Sequence, residues 1–324
     1  MSDCKLSICI PTYNYGGYLG ETIESVLAQT FTDFELLIVD DQSKDNTREV
    51  VESYAAHDPR IRFLVNPQNL GMVRNWNHCL ELARGEYVKY VFGDDLLASR
   101  DALQKMVAML DADPKVSLVC SARNFIDENS KVMKVESHFC RTGVLPGKDV
   151  INYCLLRQGN LIGEPSVVMF RKAQAGRGFL PQYSQIVDLE MWFHLLEQGS
   201  FAYINEPLCS FRIHQKQMTQ QNKASGADVD DVFYLVEDYL PKDYITLSGF
   251  MKGYVKYDHV YGVWKMQRKG RITRELAQDR IDKNYSMLKF RLWYPFYKGF
   301  KPCLKLYRSL RRMSLDDTSR LDWQ

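Results

Sequence analysis

The chain has 324 residues, with 42 basic and 40 acidic side chains, a formal charge of +2, 45% hydrophobic residues and 25% charged ones. That balance excludes a fibrous repeat and wholesale disorder, and the length accommodates one large domain with an appendage or two modest domains. The small net charge conceals one asymmetry, because residues 283–315 contain no Asp or Glu.

In chain order, "KLSICIP" reads as a first strand and "YLGETIESVLAQ" as a helix whose Leu19, Ile23, Val26 and Leu27 share a face. The strand "FELLIVDD" follows, then a helix over about residues 46–57, the strand "IRFLV", the helix "MVRNWNHCLELA", the strand "EYVKYVF", the helix "ALQKMVAMLDAD" and the strand "VSLVCSA". Strands that are apolar almost throughout, separated by helices, predict an open, mostly parallel α/β sheet covered on both faces. Such sheets collect ligands at the carboxyl ends of their strands. There the chain places Pro11, Thr12, Tyr13 and Asn14, then Asp40 and Asp41, then Asp94 and Asp95.

Beyond residue 125, "IDENSKVM" predicts a turn between short strands, "GKDVINYCLLRQG" a helix, "EPSVVMF" a strand and "DLEMWFHLLEQG" a helix ended by Gly199. After "FAYINEPLCSFRIH" the polar stretch "QKQMTQQNKASGAD" predicts a mobile loop, and from about residue 228 the sequence is mainly helical. The expected organisation is a catalytic domain over residues 1–220, with a nucleotide-binding half at 1–125 and an acceptor half at 126–220. A helical C-terminal extension over 221–324 would carry the basic aromatic tail.

Eight scattered cysteines without a CxxC pair suit a reducing compartment. No basic region followed by a signal-length apolar stretch opens the chain, and no run of about 18 uncharged apolar residues occurs in it. The expectation is a cytoplasmic protein.

The glycines after the first strand, in "PTYNYGGYLG", do not form a GxGxxG fingerprint, and no P-loop is present. A nucleotide would therefore be held by side chains and a metal. Asp40 can accept from a base or ribose hydroxyl, Tyr13 can cover a base face and Arg74 can counter phosphate charge. Packing at a strand end accounts for Tyr13 equally well. Asp94 and Asp95, in "VFGDD", suit a hard divalent cation shared with a substrate phosphate, although Gly-Asp-Asp is also ordinary turn chemistry.

Four motifs in register, "SICIPTYN", "LLIVDDQSKDNT", "NPQNLGMVRNWNHCLELARGEYVKYVFGDD" and "VDLEMWFHLLEQG", resemble the family 2 glycosyltransferases, which have the GT-A fold. The likeness spans residues 5 to about 215. It implies a non-processive, inverting, metal-dependent transferase, since the QxxRW signature and transmembrane helices of processive synthases are missing. By the same resemblance Pro11, Thr12, Tyr13 and Asp40 hold the nucleobase, and Arg74 lies by the pyrophosphate. Asp94 and Asp95 form the DxD region, contacting ribose and Mn²⁺ or Mg²⁺, with Phe92 in place of a frequent first Asp. His214 approaches the diphosphate or metal.

The resemblance places the catalytic base at Asp188, four residues before Trp192, with Val187 where a Glu is usual and Glu190 as the understudy. Inverting transfer needs such a base to take the acceptor's proton. Asp188 also suits a helix N-cap. The implied partners are a nucleotide diphosphate sugar donor of UDP or dTDP type and a glycan or lipid-linked acceptor, in assembly of a cell-surface polysaccharide or glycolipid.

The tail "KFRLWYPFYKGFKPCLKLYRSLRR" interleaves cations with aromatic rings, which suits an anionic membrane surface and would also suit nucleic acid; the membrane is favoured because a transferase building a lipid-linked glycan must meet its acceptor there. That predicts peripheral attachment at the inner face of the cell membrane. Pro295 and Pro302 argue against one long helix there. Two other classes fit parts of the pattern. A nucleotidyltransferase palm also uses Gly-Asp-Asp but within an antiparallel hairpin, and the missing Glu before Asp188 suits a non-catalytic sugar-nucleotide binding scaffold.

Overall fold

The computed structural model describes residues 4–214 and 227–316, so the polar stretch expected to form a loop lies largely outside the described residues. The chain divides into two compact units. One holds residues 1–147, 161–181 and 187–215; the other holds residues 148–160, 182–186 and 216–324.

The first unit is built on a sheet of strands β1 (Leu6–Thr12), β2 (Phe34–Asp40), β3 (Ile61–Val65), β4 (Tyr87–Tyr90), β5 (Leu96–Leu97), β6 (Val116–Ile126), β7 (Val132–Glu136), β8 (Gly143–Pro146), β9 (Val168–Arg171) and β10 (Ser200–Arg212). Its order is β3, β2, β1, β4, β9, β6, β10, β5, with β7 on β6 and β8 on β10. The helices α1 (Gly16–Leu27), α2 (Thr47–Ala55), α3 (Met72–Leu82), α4 (Ala102–Ala112) and α6 (Val187–Leu196) belong to this unit. Every residue of β1 and β2 is buried, as a sheet covered on both faces requires.

The sheet is parallel from β3 to β4, as the alternation of strands and helices predicts. It becomes mixed where β9 enters antiparallel between β4 and β6, while β10 runs parallel to β6. The stretch "EPSVVMF" accordingly departs from a single strand. Pro165–Val167 form a 3-10 turn and only Val168–Arg171 pair in the sheet.

The second unit contains α5 (Gly147–Arg157), apart from its first residue, α7 (Ala227–Tyr239), α8 (Gly249–Arg268), α9 (Arg274–Asn284) and α10 (Met287–Asp316). Its core is aromatic, with Tyr257 stacked on Phe290 at 5.2 Å and Tyr254 on Tyr297 at 5.6 Å. Contrary to expectation, α10 continues for 30 residues with Pro295 and Pro302 inside it. Each proline removes one backbone hydrogen bond, about 3 kcal/mol at most positions. The rings packed on α8 hold the segment helical on both sides of Pro295.

Candidate active site

Strands β1 and β2 end side by side, with Thr12 in register with Asp40. Pro11 and Thr12 are buried, and Thr12 Oγ1 has no hydrogen-bond partner among the described residues. Buried hydroxyls in folded proteins are nearly always paired, so an orphaned one at a strand's carboxyl end is unusual. Tyr13 is 46% exposed. Asp40 is buried and accepts from the Ser43 backbone N–H at 3.2 Å and from the Ser43 hydroxyl. Asn14, at φ 60°, donates its N–H to Ser43 Oγ and accepts from the Lys44 N–H, locking the two loops together.

Asp41 has a separate task. It accepts from the N–H groups of Leu70 and Gly71 and from Asn66 Nδ2, so it shapes the loop that enters α3. Arg74, in the first turn of that helix, is exposed.

The turn after β4 buries both carboxylates, Asp94 at 4% exposure and Asp95 at 0%. Asp94 Oδ2 lies 2.9 Å from His214 Nε2, and His214 packs its ring on Tyr18 at 5.2 Å. Asp95 accepts from Ser166 Oγ at 2.5 Å and from the Arg212 backbone N–H at 2.9 Å. Burial, reinforced by the neighbouring Asp94 charge, holds the Asp95 carboxyl well above the usual carboxylate range. Phe92 is half-buried just past β4 and stacks against Trp76 at 5.0 Å, so it packs rather than ligates.

Arg212, wholly buried at the end of β10, clamps this turn from behind. Its Nε donates to Asp94 O at 2.7 Å, its Nη1 to Asp127 O and Ser130 Oγ, and its Nη2 to Glu21 Oε2 at 2.8 Å. Beneath Asp95, the buried Lys89 donates Nζ to Ser166 O at 2.7 Å.

Asp188 stands in the first turn of α6, one residue inside its start rather than at the cap. The residue as a whole is half-buried, and its carboxyl lies deep among protein atoms. That burial, augmented by the Glu164 charge and opposed by the Leu189 N–H and Arg123, pushes its pKa up to about 7. Glu190 forms a bidentate pair with Arg177 at 2.9 Å and is committed to it.

Residues 163–166 join the two parts of the site. Ser166 holds Asp95, while Glu164 pairs with Arg123 Nε at 3.2 Å and raises both Asp95 and Asp188. Gly163, at φ +118°, accepts from Trp192 Nε1 at 3.0 Å, and a Cβ there would lie 2.8 Å from Arg123 Nη1. The sequence reading missed Arg212, Ser166 and Glu164. An Arg within the apolar strand "CSFRIH", two residues before the candidate His214, was the one available signal.

Among the described residues no group of three or more His, Cys, Asp and Glu side chains forms a metal cage. The donors present nevertheless fit a divalent cation bound mainly through substrate phosphate. Asp94 Oδ2 and His214 Nε2 converge, as one carboxylate and one imidazole suited to Mn²⁺. Asp95 would have to release Ser166 to join them.

A central mixed sheet flanked by helices, with polar loops at its carboxyl edge, is the architecture of the GT-A fold. The mannosyltransferase PcManGT of Pyrobaculum calidifontis, in complex with GDP-Man and Mn²⁺, superposes with a TM-score of 0.58 over 98% of this chain and 88% of that one, at 16% identity. The chain belongs to glycosyl transferase family 2, whose model matches residues 7–175, and it is a glycosyltransferase. The putative glycosyltransferase EpsE of Bacillus subtilis is 37% identical over 203 residues, 61% of this chain and 69% of EpsE. The UDP-Glc:alpha-D-GlcNAc-diphosphoundecaprenol beta-1,3-glucosyltransferase WfgD of Escherichia coli is 28% identical over 267 residues, 81% of this chain and 98% of WfgD.

Proposed function

We propose that the protein transfers a sugar, with inversion, from a nucleotide diphosphate sugar of UDP or dTDP type to a hydroxyl of a lipid-linked glycan in cell-surface polysaccharide or glycolipid assembly. The observation that carries this reading is the convergence of Asp94 and His214, 2.9 Å apart, at the sheet edge where Thr12 lacks a partner. WfgD's lipid-linked acceptor supports the acceptor class.

In this reading Tyr13 covers the base, Pro11 and Thr12 line its pocket, and Asp40 exchanges Ser43 for a base or ribose donor. Arg74 meets the diphosphate from outside. Asp94 and His214 would hold a divalent cation, whose charge would offset that on the departing diphosphate. Asp188 takes the acceptor hydroxyl's proton as the new glycosidic bond forms on the anomeric carbon and the bond to the diphosphate breaks. A base near pKa 7 matches that task, because it is ionised at working pH yet basic enough to receive a proton. The catalytic domain is assigned to residues 1–220 and the extension to 221–324, which rests at an anionic membrane surface on the cytoplasmic side.

A thermal-shift panel of nucleotide sugars with and without Mn²⁺ tests the reading. Stabilisation by one nucleotide class only when metal is present is expected; no response to any donor would overturn it.

A further inference from the structure

Helix α10 presents two apolar faces. One is consumed by the core of its own unit, where Phe290 and Tyr297 meet Tyr254 and Tyr257. The other is bare. Leu288, Leu292, Phe296 and Phe300 follow one another at four-residue intervals and are 69%, 64%, 65% and 53% exposed. With 3.6 residues per turn, that spacing draws a slowly winding stripe along one side of the helix. A shallow open cleft of about 450 Å³, lined by Pro295, Phe296, Gly299, Phe300 and Cys303, lies on the same side. Phe250 of α8, 56% exposed, reaches the stripe through its ring contact with Phe300 at 5.9 Å.

An apolar stripe of this extent marks an interaction surface, and its surroundings decide what occupies it. Between residues 284 and 315 the chain carries eight Lys and Arg and no Asp or Glu. At helical spacing Lys289 stands beside Leu288 and Leu292 on one side and Arg291 on the other, and Lys298 is a further exposed cation of the same segment. A second copy of the helix would bring cations against cations. Nucleic acid would leave a line of Leu in contact with phosphate. An anionic bilayer satisfies both features, taking aliphatic and Phe side chains at the acyl boundary, the 54% exposed Trp293 at headgroup depth and the cations among lipid phosphates. No helix among the described residues is long and apolar enough to cross the membrane, so the stripe lies along the surface.

We infer that α10 docks in the plane of an anionic membrane through the face carrying Leu288, Leu292, Phe296 and Phe300, while its Tyr and Phe290 face is structural. This deepens the membrane placement within the proposed function, which rests on the acceptor being lipid-linked. Docking itself needs neither donor nor metal, so its failure and a failure of the transferase reading are told apart.

The test is co-sedimentation of the full chain with vesicles of phosphatidylcholine alone or mixed with phosphatidylglycerol. Binding is expected only to the mixed vesicles and should weaken with added salt. The exposed triple variant Leu292→Ser, Phe296→Ser, Phe300→Ser is expected to lose binding, with its circular dichroism unchanged. Replacing Lys289, Arg291 and Lys298 by Gln should cost about a hundredfold in partitioning. The proposal is overturned if the wild type ignores phosphatidylglycerol or the serine variant binds equally well. It is also overturned if lipid-free protein dimerises and the serine variant alone is monomeric, which would give the stripe to a second copy.

Discussion

His214 Nε2 sits 2.9 Å from Asp94 Oδ2, so the residue that follows β10 by two positions meets the carboxylate turn that follows β4. Neither residue can move without disturbing the other, and a cation placed between them would be shared. Replacing His214 by Ala is expected to raise the Mn²⁺ concentration needed for half-maximal turnover by about 10 to 100-fold. The check is a metal titration of donor consumption. An unchanged midpoint would leave His214 a packing partner of Tyr18 alone.

Asp188→Asn is expected to lower kcat by about 10² to 10⁴-fold, the range of a lost general base, with donor affinity retained in calorimetry. In the wild type, turnover should climb as pH rises through about 7, where the carboxyl gives up its proton. Stability moves in the opposite sense. From the ordinary carboxylate range up to about 7 the unfolded chain is ionised while the folded one keeps this proton, so folding loses stability with rising pH. The Asn variant lacks that loss, and its melting temperature should gain on the wild type between pH 4 and pH 8.

Glu164→Gln removes a negative charge that raises Asp188 and leaves the Arg123 cation, which lowers it, less neutralised. Both changes favour the ionised base. The rising limb of the pH profile is expected to shift to lower pH, whereas a residue serving only to anchor its loop would reduce activity without moving the midpoint.

Arg212→Ala would strand the buried Asp94 carbonyl and empty the space its side chain fills, although the Asp127 carbonyl keeps the Ser130 N–H and the Ser130 hydroxyl keeps Glu21. The expected cost is about 3 kcal/mol in urea unfolding. Lys at the same position keeps a charge but loses the planar fork, so it should recover part of that stability.

Much of the first unit was legible because buried parallel strands are apolar throughout and end in polar residues. The bounds read for "IRFLV" coincide with β3, and the helix read at "MVRNWNHCLELA" runs one residue past α3. Strand direction was not legible for β9, since pairing sense is set by tertiary placement and not by the four residues concerned. The support behind the carboxylates was equally hidden. Nothing in the sequence around Arg212 shows that Glu21, Asp94 and Asp127 converge on it from distant parts of the chain. The reading of Pro295 and Pro302 as helix breakers failed because propensity is local, and the rings of α8 and α10 outweigh it.

All eight cysteines are free thiols, yet only Cys140 and Cys303 are exposed. Of the other six, five are buried and Cys4 is half-buried, which turns an ordinary composition into a labelling scheme. A maleimide dye would find its most exposed handle in the first unit at Cys140 and its one exposed handle in the second unit at Cys303, which stands on the cleft beside Phe300. An environment-sensitive fluorophore there would brighten as water leaves, while one at Cys140 serves as the internal control, with no cysteine added or removed.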